Sequence, residues 1–415
     1  MSTIYNDDIL FFDDINILDL ASARQTPFYL YSEKIITNNF LDYQNSFGSN
    51  PHLICYSVKA NSNLSILSLL AKLGSGFDIV SGGELSRVIK AGGDPRKIVF
   101  SGVGKTEDEI RFALASNIMC FNVESYEELV TINTIAIEEN MIANISLRVN
   151  PEIDVDTHPY IATGMKDNKF GIEQSEIIKI YSIAADLHGV SIMGIDFHIG
   201  SQIMDLQPFK ESVLKIKSII DLLKEKNILL SHIDIGGGLG IAYDNEESIN
   251  KKTFITSVIK LLEPLSIKIL IEPGRSIIGE AGLLIAKVIN TKKSSNKNFV
   301  IVDAGMNDLL RPPLYNAFHH IKEVHSNNFN KYLCDVVGPI CETSDFLGKD
   351  RMLSLSKGDY VVVESVGAYG FVLASNYNTR VKPAEYIINK DSKTIKKIRN
   401  RDTIEQMLAN EVEYL

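Results

Sequence analysis

The sequence predicts an α/β protein, with a (β/α)8 TIM barrel followed by a second, β-rich C-terminal domain. Between residues 53 and 272, eight short β-rich runs alternate with segments whose apolar residues recur at helical spacing. Repeated β-then-α units of this kind form parallel sheets. A doubly wound sheet is the alternative, but it usually opens with a G-x-G-x-x-G turn, and none follows the first run here. After residue 299, strand-like runs separated by Gly, Pro and Asp replace the alternation.

The eight β-rich runs match one barrel in number and in total length. They are LICYSV (53–58), FDIV (77–80), KIVF (97–100), IMCF (118–121), NISLRV (144–149), IMGIDFH (192–198), HIDIG (232–236) and KILIE (268–272). Helical segments such as LSILSLLAKLG (64–74) lie between them.

Three regions follow from this pattern. Residues 1–34 form an N-terminal segment in which FYLYS (28–32) is expected to pair with the β domain. Residues 35–285 form the barrel, and residues 286–415 form the β-rich domain, with runs such as FVIVDAG and DYVVVESVG. The polar stretch KKSSNKN (292–298) is predicted to be a loop near the domain boundary.

Composition excludes several classes of protein. The 415 residues are 45% hydrophobic and 23% charged, which is typical of a globular protein. The net charge is −10 and no basic cluster is evident, so nucleic acid is not an expected partner. No apolar run reaches the roughly 18 residues of a membrane span, and the acidic start MSTIYNDDIL does not resemble a secretory signal. Four cysteines without zinc spacing predict reduced thiols, no metal site and a cytoplasmic location.

Functional residues of a barrel lie at the carboxyl ends of its strands. Those positions hold an amine, carboxylates, a guanidinium, an imidazole and a glycine cluster, namely Lys59, Asp78, Arg148, His198, Gly236 to Gly238 and Glu272. Lys59 at such a position could form a Schiff base, or could be a solvated lysine at a strand end. His198 could stack on a planar ring, or could be a hydrogen-bonded core residue.

Two glycine loops at neighbouring strand ends, GGGLG (236–240) and EPGRS (272–276), indicate an anion site. Backbone N–H groups of such loops approach an anion closely, and a phosphate site often follows strands seven and eight of a barrel. Glu272, opposite a pyridine nitrogen, would keep that nitrogen protonated so that the ring accepts an electron pair. The alternative, a surface glutamate, fits poorly with its place between KILI and Pro273.

The C-terminal half offers further candidates. Arg311, flanked by Leu and Pro, suggests a bidentate carboxylate contact. Cys341 could be a positioned thiol acid or a buried small hydrophobic residue. Tyr315 lies near Arg311, and Tyr369 lies in the turn GAYG.

The chain resembles the diaminopimelate decarboxylase family. The motifs YSVKAN, GFDIVSGGE, HIGSQI, GGGLG, EPGRS, DAGMNDLLRPPLY, GPICETSD and GAYG occur in that family's order, and THPYIATGMKDNKFGI (157–172) is similar to its loop. The resemblance extends from about residue 25 to about residue 385. Pro313 and Thr343 depart from the family's usual Ala and Ser. The resemblance implies pyridoxal 5'-phosphate and the alanine-racemase-like fold, fold type III.

Residue roles are implied by the same resemblance. Lys59 holds the cofactor as a Schiff base, His198 stacks on its ring, and Glu272 faces the pyridine nitrogen. Ser201, Gly238, Gly274, Arg275 and Tyr369 surround the phosphate, with Asp78 and Arg148 near the cofactor. Substrate contacts are Arg275, Arg311, Tyr315, Glu342 and Tyr369. Cys341 is the acid.

The implied reaction converts meso-2,6-diaminopimelate to L-lysine and CO2, the last step of lysine biosynthesis. The implied assembly is a homodimer in which Cys341 and Glu342 reach the partner's active site. Three alternatives stay open. An ornithine or arginine decarboxylase should have an acid in place of Arg311, an alanine-type racemase would pair the pyridine nitrogen with Arg, and a non-catalytic homologue would be expected to lose Lys59 or Cys341.

Overall fold

The computed structural model describes residues 3–153, 169–326 and 330–411. The chain divides into two compact units. The first, here called the barrel unit, comprises residues 39–241 and 247–276. The second, the β unit, comprises residues 1–38, 242–246 and 277–415.

The secondary-structure elements are numbered in chain order. The strands are β1 (Thr3–Asn6), β2 (Ile9–Phe12), β3 (Ile15–Asn16), β4 (Phe28–Ser32), β5 (His52–Ser57), β6 (Gly76–Ile79), β7 (Ile98–Phe100), β8 (Cys120–Val123), β9 (Ala143–Asn150), β10 (Ile172–Glu173), β11 (Val190–Asp196), β12 (His232–Asp234), β13 (Lys268–Ile271), β14 (Gly282–Lys293), β15 (Asn298–Val302), β16 (Ile321–Glu323), β17 (Tyr332–Val337), β18 (Phe346–Leu353), β19 (Tyr360–Val363), β20 (Ala384–Ile388) and β21 (Ile395–Arg399). The helices are α1 (Ile17–Ser22), α2 (Glu33–Phe47), α3 (Leu64–Lys72), α4 (Gly82–Lys90), α5 (Glu107–Ala115), α6 (Tyr126–Glu138), α7 (Gln174–Asp186), α8 (Gln207–Glu225), α9 (Lys251–Leu262), α10 (Arg275–Ile278), α11 (Arg311–Tyr315) and α12 (Ile404–Leu408).

Eight parallel strands close the barrel in the order β5, β6, β7, β8, β9, β11, β12, β13, with β13 pairing back to β5. The predicted fold class is therefore confirmed. Apolar and thiol side chains pack in the interior near the strands' amino ends, a cluster of Leu53, Cys55, Val99, Cys120 and Leu270. Polar side chains gather at the opposite, carboxyl end, where functional residues of this fold lie.

Helix caps fix the loops that leave the carboxyl ends of the strands. The side-chain oxygens of Ser81, Thr106 and Ser125 each accept a hydrogen bond from the backbone amide three residues ahead. Such caps satisfy amides that the helix itself leaves unpaired. Each cap fixes the backbone where the loop enters the helix, close to the end of the preceding strand.

Strand β8 begins and ends two residues later than the predicted run 118–121. The strand includes Asn122, which lies outside the predicted run. In the structure Asn122 is buried, and its Nδ2 donates to Ser101 Oγ at 3.1 Å. A polar residue can therefore continue a barrel strand when a neighbouring strand end supplies its partner.

The β unit is built on a sheet in the order β18-β17-β15-β14-β4-β20-β21, with β19 pairing with β14 and β16. Strand β4, the FYLYS segment, pairs antiparallel with β14 and parallel with β20. Residues 292–298 include the turn of the hairpin that joins β14 to β15. The three strands β1, β2 and β3 form a separate small sheet.

Two further observations bear on the sequence predictions. Throughout the described residues, no helix combines the length and the apolar character that crossing a bilayer requires. The four cysteines are free thiols, three of them buried and Cys341 exposed.

Candidate active site

A lysine amine lies at the mouth of the barrel, on the short 3-10 turn that follows β5. Lys59 Nζ lies 2.9 Å from Asp78 Oδ2 on β6, and the same oxygen accepts a hydrogen bond from Ser57 Oγ at 2.6 Å. The Lys59 side chain is 39% exposed, whereas the carboxylate of Asp78 is buried. The amine is thus oriented by an ion pair and still reachable by a small molecule.

A buried ion-pair network joins β9 to the residue that follows β8 and to the end of β11. Arg148 Nη1 donates to Glu124 Oε1 at 2.6 Å, and Arg148 Nε lies 3.8 Å from Asp196 Oδ2. Glu124 also accepts the backbone amides of Gly102 and Gly171, at 3.0 and 2.9 Å. Arg148 therefore ties two strand-end loops to the barrel interior through a shared carboxylate.

Three buried carboxylates converge beside this network. Asp196 and Asp234 end β11 and β12, Glu272 follows β13, and one oxygen from each lies within 4.8 Å of the others. Burial is the main cause that raises the pKa of each, and repulsion from neighbouring carboxylates adds to it. The pKa of Asp234 rises to about 7. Because like charges this close resist joint ionisation, the cluster retains protons and favours a cationic partner.

His198 lies at the same end of the barrel, two residues beyond β11. The backbone N–H of Gly237 donates to His198 Nδ1 at 3.2 Å. Desolvation of the ring lowers the pKa of His198 well below its usual value, and the positive charges of Arg148 and Lys59 lower it further. The imidazole is therefore neutral near pH 7 and carries its proton on the other ring nitrogen.

The two glycine loops pack backbone against backbone. A Cβ added to Gly237 would lie 2.2 Å from the carbonyl oxygen of Glu272, and one added to Gly238 would lie 2.3 Å from that of Gly200. Gly238 also has a φ of +105°, which residues other than glycine rarely adopt. Side chains are thus excluded where the loops after β11, β12 and β13 meet.

Other predicted phosphate residues join these loops. Arg275 Nη2 donates to Ser201 Oγ at 2.9 Å, which links the loop after β13 to the loop after β11. A Cβ on Gly274 would lie 2.9 Å from Ala60 Cβ, next to Lys59. Eight of the predicted site residues therefore gather at one end of the barrel unit, with Gly274 beside them: Lys59, Asp78, Arg148, His198, Ser201, Gly238, Glu272 and Arg275.

The remaining predicted residues lie in the β unit. Arg311 and Tyr315 are the first and last residues of α11, and Arg311 Nη1 lies 3.0 Å from His319 Nε2. Tyr369 has a φ of +57° in the GAYG turn.

Cys341 and Glu342 lie in one loop of the β unit, and residues of a second loop contact them. The backbone N–H of Cys341 donates to Asn378 Oδ1 at 2.8 Å, and the hydroxyl of Tyr377 donates to Glu342. Asp345 accepts the amides of Ile340 and Met306, each at 2.6 Å, so the residue before Cys341 is tied to the segment that holds Met306.

Sequence reasoning missed Asp196, Asp234, Glu124, His319, Tyr377 and Asn378. A usable signal exists for the two aspartates, which stand within apolar strands. Buried parallel strands usually have nearly continuous apolar sequences. Because burying a carboxylate is unfavourable, an aspartate inside such a strand indicates a candidate functional residue. Part of the loop 157–172, residues 157–168, lies outside the described residues.

Comparisons with known proteins identify the family of the chain. Residues 33–279 match the family model described as the pyridoxal binding domain of pyridoxal-dependent decarboxylases. A diaminopimelate decarboxylase of Neisseria meningitidis serogroup A is 48% identical over 97% of this chain and 99% of its own length.

Two solved structures are similar over nearly the whole chain. Diaminopimelate decarboxylase from Helicobacter pylori, complexed with L-lysine, has a TM-score of 0.93 and 47% identity, covering 96% of this chain and all of that one. The enzyme from M. jannaschii, in co-complex with L-lysine, has a TM-score of 0.94 and 36% identity, covering 99% of this chain and 97% of that one. The resemblance and the cofactor predicted from the sequence are confirmed. This chain belongs to the diaminopimelate decarboxylase family of pyridoxal-dependent decarboxylases.

Proposed function

We propose that the protein decarboxylates meso-2,6-diaminopimelate to L-lysine and CO2, using pyridoxal 5'-phosphate as its cofactor. The observation that carries the proposal is the Lys59 amine, held 2.9 Å from Asp78 at the barrel mouth that also holds Glu272 and the glycine loops. Relatives named diaminopimelate decarboxylase align over nearly the whole chain. The protein is then a carboxy-lyase.

The residues at the barrel mouth fit the cofactor at both of its ends. The glycine loops carry no side chains where they meet, and glycine-rich turns of this kind let the backbone approach a phosphate closely. At the other end, buried Asp78 Oδ1 and Asp196 Oδ1 have no hydrogen-bond partner among the described residues. An excess of buried carboxylate suits a ring nitrogen that carries a proton.

Pyridoxal phosphate supplies an electron sink, because its protonated ring accepts the electron pair left when a bond at the substrate α-carbon breaks. We assign Lys59 as the residue that anchors it and Glu272 as the partner of the ring nitrogen. A positive charge there would favour the ionised form of Glu272, which the neighbouring acids otherwise oppose. His198, neutral and positioned by Gly237, would contribute its ring face.

Phosphate contacts are assigned to Ser201, Gly238, Gly274, Arg275 and Tyr369. Asp78 and Arg148 orient the groups around the cofactor, through the ion pairs described above. These assignments combine the family resemblance with the positions of the residues in each unit.

The substrate contacts are those that the family resemblance implies, and charge supports two of them. Arg311 would bind the carboxylate remote from the reacting carbon, and Glu342 the remote amine. Arg275, Tyr315 and Tyr369 complete the assigned contacts. The thiol of Cys341 would deliver a proton to the carbon that has lost CO2, and a positioned acid contributes about 10²–10⁴-fold to a rate.

The family resemblance also implies a cytoplasmic homodimer in which Cys341 and Glu342 complete the partner's active site, with no nucleic acid or membrane as partner. The exposed position of Cys341 in a single chain is compatible with that role. Gel filtration or sedimentation of the purified protein tests the dimer.

The test of the function is CO2 release by the cofactor-loaded protein from diaminopimelate and, separately, from ornithine. Diaminopimelate should be the preferred substrate, and Arg311→Ala should lower its kcat/KM far more than that of ornithine, which has no second carboxylate. Lys59→Ala should abolish release and change the visible absorption band of the bound cofactor. Release from ornithine alone, or equal losses on both substrates, would overturn the assignment.

A further inference from the structure

We propose that His319 is a positioning residue that holds the Arg311 guanidinium in place for a substrate carboxylate. The inference rests on the proposed function, because it concerns how the carboxylate remote from the reacting carbon is recognised. His319 would thereby contribute to the preference for ligands that carry this carboxylate. Three side chains of the β unit carry the proposal, namely Arg311, His319 and Tyr243.

All three side chains are buried. Arg311 is 6% exposed, His319 is 0% exposed and Tyr243 is 7% exposed. Arg311 begins α11, and its helix is only five residues long, so the helix itself does little to orient the side chain. The orientation of the guanidinium must come from the groups packed around it.

The histidine has a fixed tautomer. His319 Nδ1 lies 2.8 Å from the carbonyl oxygen of Glu364, and a carbonyl can only accept a hydrogen bond. Nδ1 therefore carries the proton and donates, which leaves a lone pair on Nε2. That lone pair faces Arg311 Nη1 at 3.0 Å and accepts its N–H. A backbone carbonyl thus makes His319 an acceptor for the guanidinium.

A tyrosine ring covers the guanidinium from another side. The Arg311 Cζ atom lies 4.6 Å from the centroid of the Tyr243 ring. The rings of Tyr243 and His319 meet edge to face, with centroids 5.2 Å apart and an angle of 82°. The two rings support each other, and the guanidinium contacts both.

Both of these contacts are with neutral groups. They fix the position of the guanidinium. An arginine fixed in advance loses less side-chain freedom on binding a ligand, so more of the interaction appears as affinity. A bidentate contact with a carboxylate uses two of the five N–H donors of the guanidinium.

The test compares two ligands of the cofactor-loaded protein, L-lysine and cadaverine. Cadaverine is lysine without its carboxylate, so the ratio of the two affinities isolates recognition of that group. The affinities are measured by isothermal titration calorimetry for the unaltered protein and for His319→Leu and His319→Gln. His319→Leu should weaken L-lysine binding about tenfold, as expected for loss of one hydrogen bond to a charged group, and leave cadaverine binding unchanged. His319→Gln, whose amide oxygen can accept from Arg311, should recover most of the loss.

His232→Leu is the matched control, because His232 is another buried histidine but belongs to the barrel unit. It should not change the ratio of the two affinities. Tyr243→Leu provides an independent variant if His319→Leu fails to fold, and it should also weaken L-lysine selectively.

Equal losses for L-lysine and cadaverine in the His319 and Tyr243 variants would overturn the positioning role and leave only a structural one. The proposed function has a separate outcome. If the unaltered protein releases no CO2 from diaminopimelate but the variants still lose L-lysine selectively, the function is wrong and the positioning role stands.

Discussion

The buried carboxylates of the barrel should make the cofactor-free protein less stable as the pH rises, and Asp234→Asn should remove part of that dependence. Asp234 lies at the end of β12, and its Oδ1 accepts the Gly236 amide at 2.9 Å. An asparagine oxygen can accept the same hydrogen bond. The substitution therefore removes a titrating group while keeping the shape and the contact.

The size of the effect follows from the pKa. Burial raises the pKa of Asp234 from 3.8 to about 7 in the folded protein. Between these values the folded state holds a proton that the unfolded chain has lost, so the free energy of unfolding falls as the pH rises. The stabilising contribution is complete below pH 3.8 and is lost as the pH approaches 7. At about 1.4 kcal/mol per pH unit, the change amounts to about 4 kcal/mol.

Urea titrations of the cofactor-free protein at several pH values between 4 and 8 measure the free energy of unfolding as a function of pH. From pH 4 to pH 8, Asp234→Asn should gain about 4 kcal/mol in free energy of unfolding relative to the unaltered protein. Asp186→Asn, at an exposed position at the end of α7, is the control, and its stability should run parallel to that of the unaltered protein. Parallel curves for Asp234→Asn as well would show that Asp234 is ionised in the folded state and that the reasoning is wrong.

Two further predictions concern the glycine loops and the Glu342 loop. Gly238→Ala should raise the dissociation constant of pyridoxal phosphate about tenfold or more, because the new Cβ would lie 2.3 Å from the Gly200 carbonyl oxygen at a φ of +105°. Fluorescence titration with pyridoxal phosphate measures this dissociation constant. Gly48→Ala is the control, because Gly48 has a φ of +55° and nothing lies within 4 Å of its added Cβ. An equal rise of the dissociation constant in both variants would contradict the prediction. Tyr377→Phe removes the hydroxyl that donates to Glu342 and should raise the KM for diaminopimelate about three- to tenfold with little change in kcat. Steady-state kinetics check it, and an unchanged KM would show that Tyr377 does not position Glu342.

The barrel could be predicted from sequence because each of its strands is a local signal. Lys59, His198 and Glu272 were predicted to lie together by one rule, that the carboxyl ends of parallel strands meet at one rim. Once the strands are placed, the rule brings together residues more than 200 positions apart without any knowledge of side-chain contacts. The structure places all three at that rim.

The partners of these residues could not be found in the same way. Arg311 and His319 are eight residues apart, but His319 is fixed by a carbonyl 45 residues further along the chain. Asn378, which binds the amide of Cys341, is separated from it by 37 residues. No periodicity links such pairs, because loops bring them together and loop geometry is set by packing of the whole unit.

Asp196 and Asp234 could have been identified from the sequence, because each is an aspartate inside an apolar run. They were treated only as parts of predicted strands. An ionised carboxylate is unfavourable inside a barrel unless a cation or a hydrogen-bond donor compensates it. Arg148 compensates Glu124 and part of Asp196, and Lys59 compensates Asp78. Asp234 and Glu272 lie beyond these ion pairs, and burial and neighbouring carboxylates raise the pKa of each. Among the described residues, the barrel mouth therefore holds more carboxylates than these cations compensate. A cofactor with a protonated ring nitrogen would supply a positive charge. The same carboxylates therefore explain both the lower stability expected of the cofactor-free protein at higher pH and its suitability for pyridoxal phosphate.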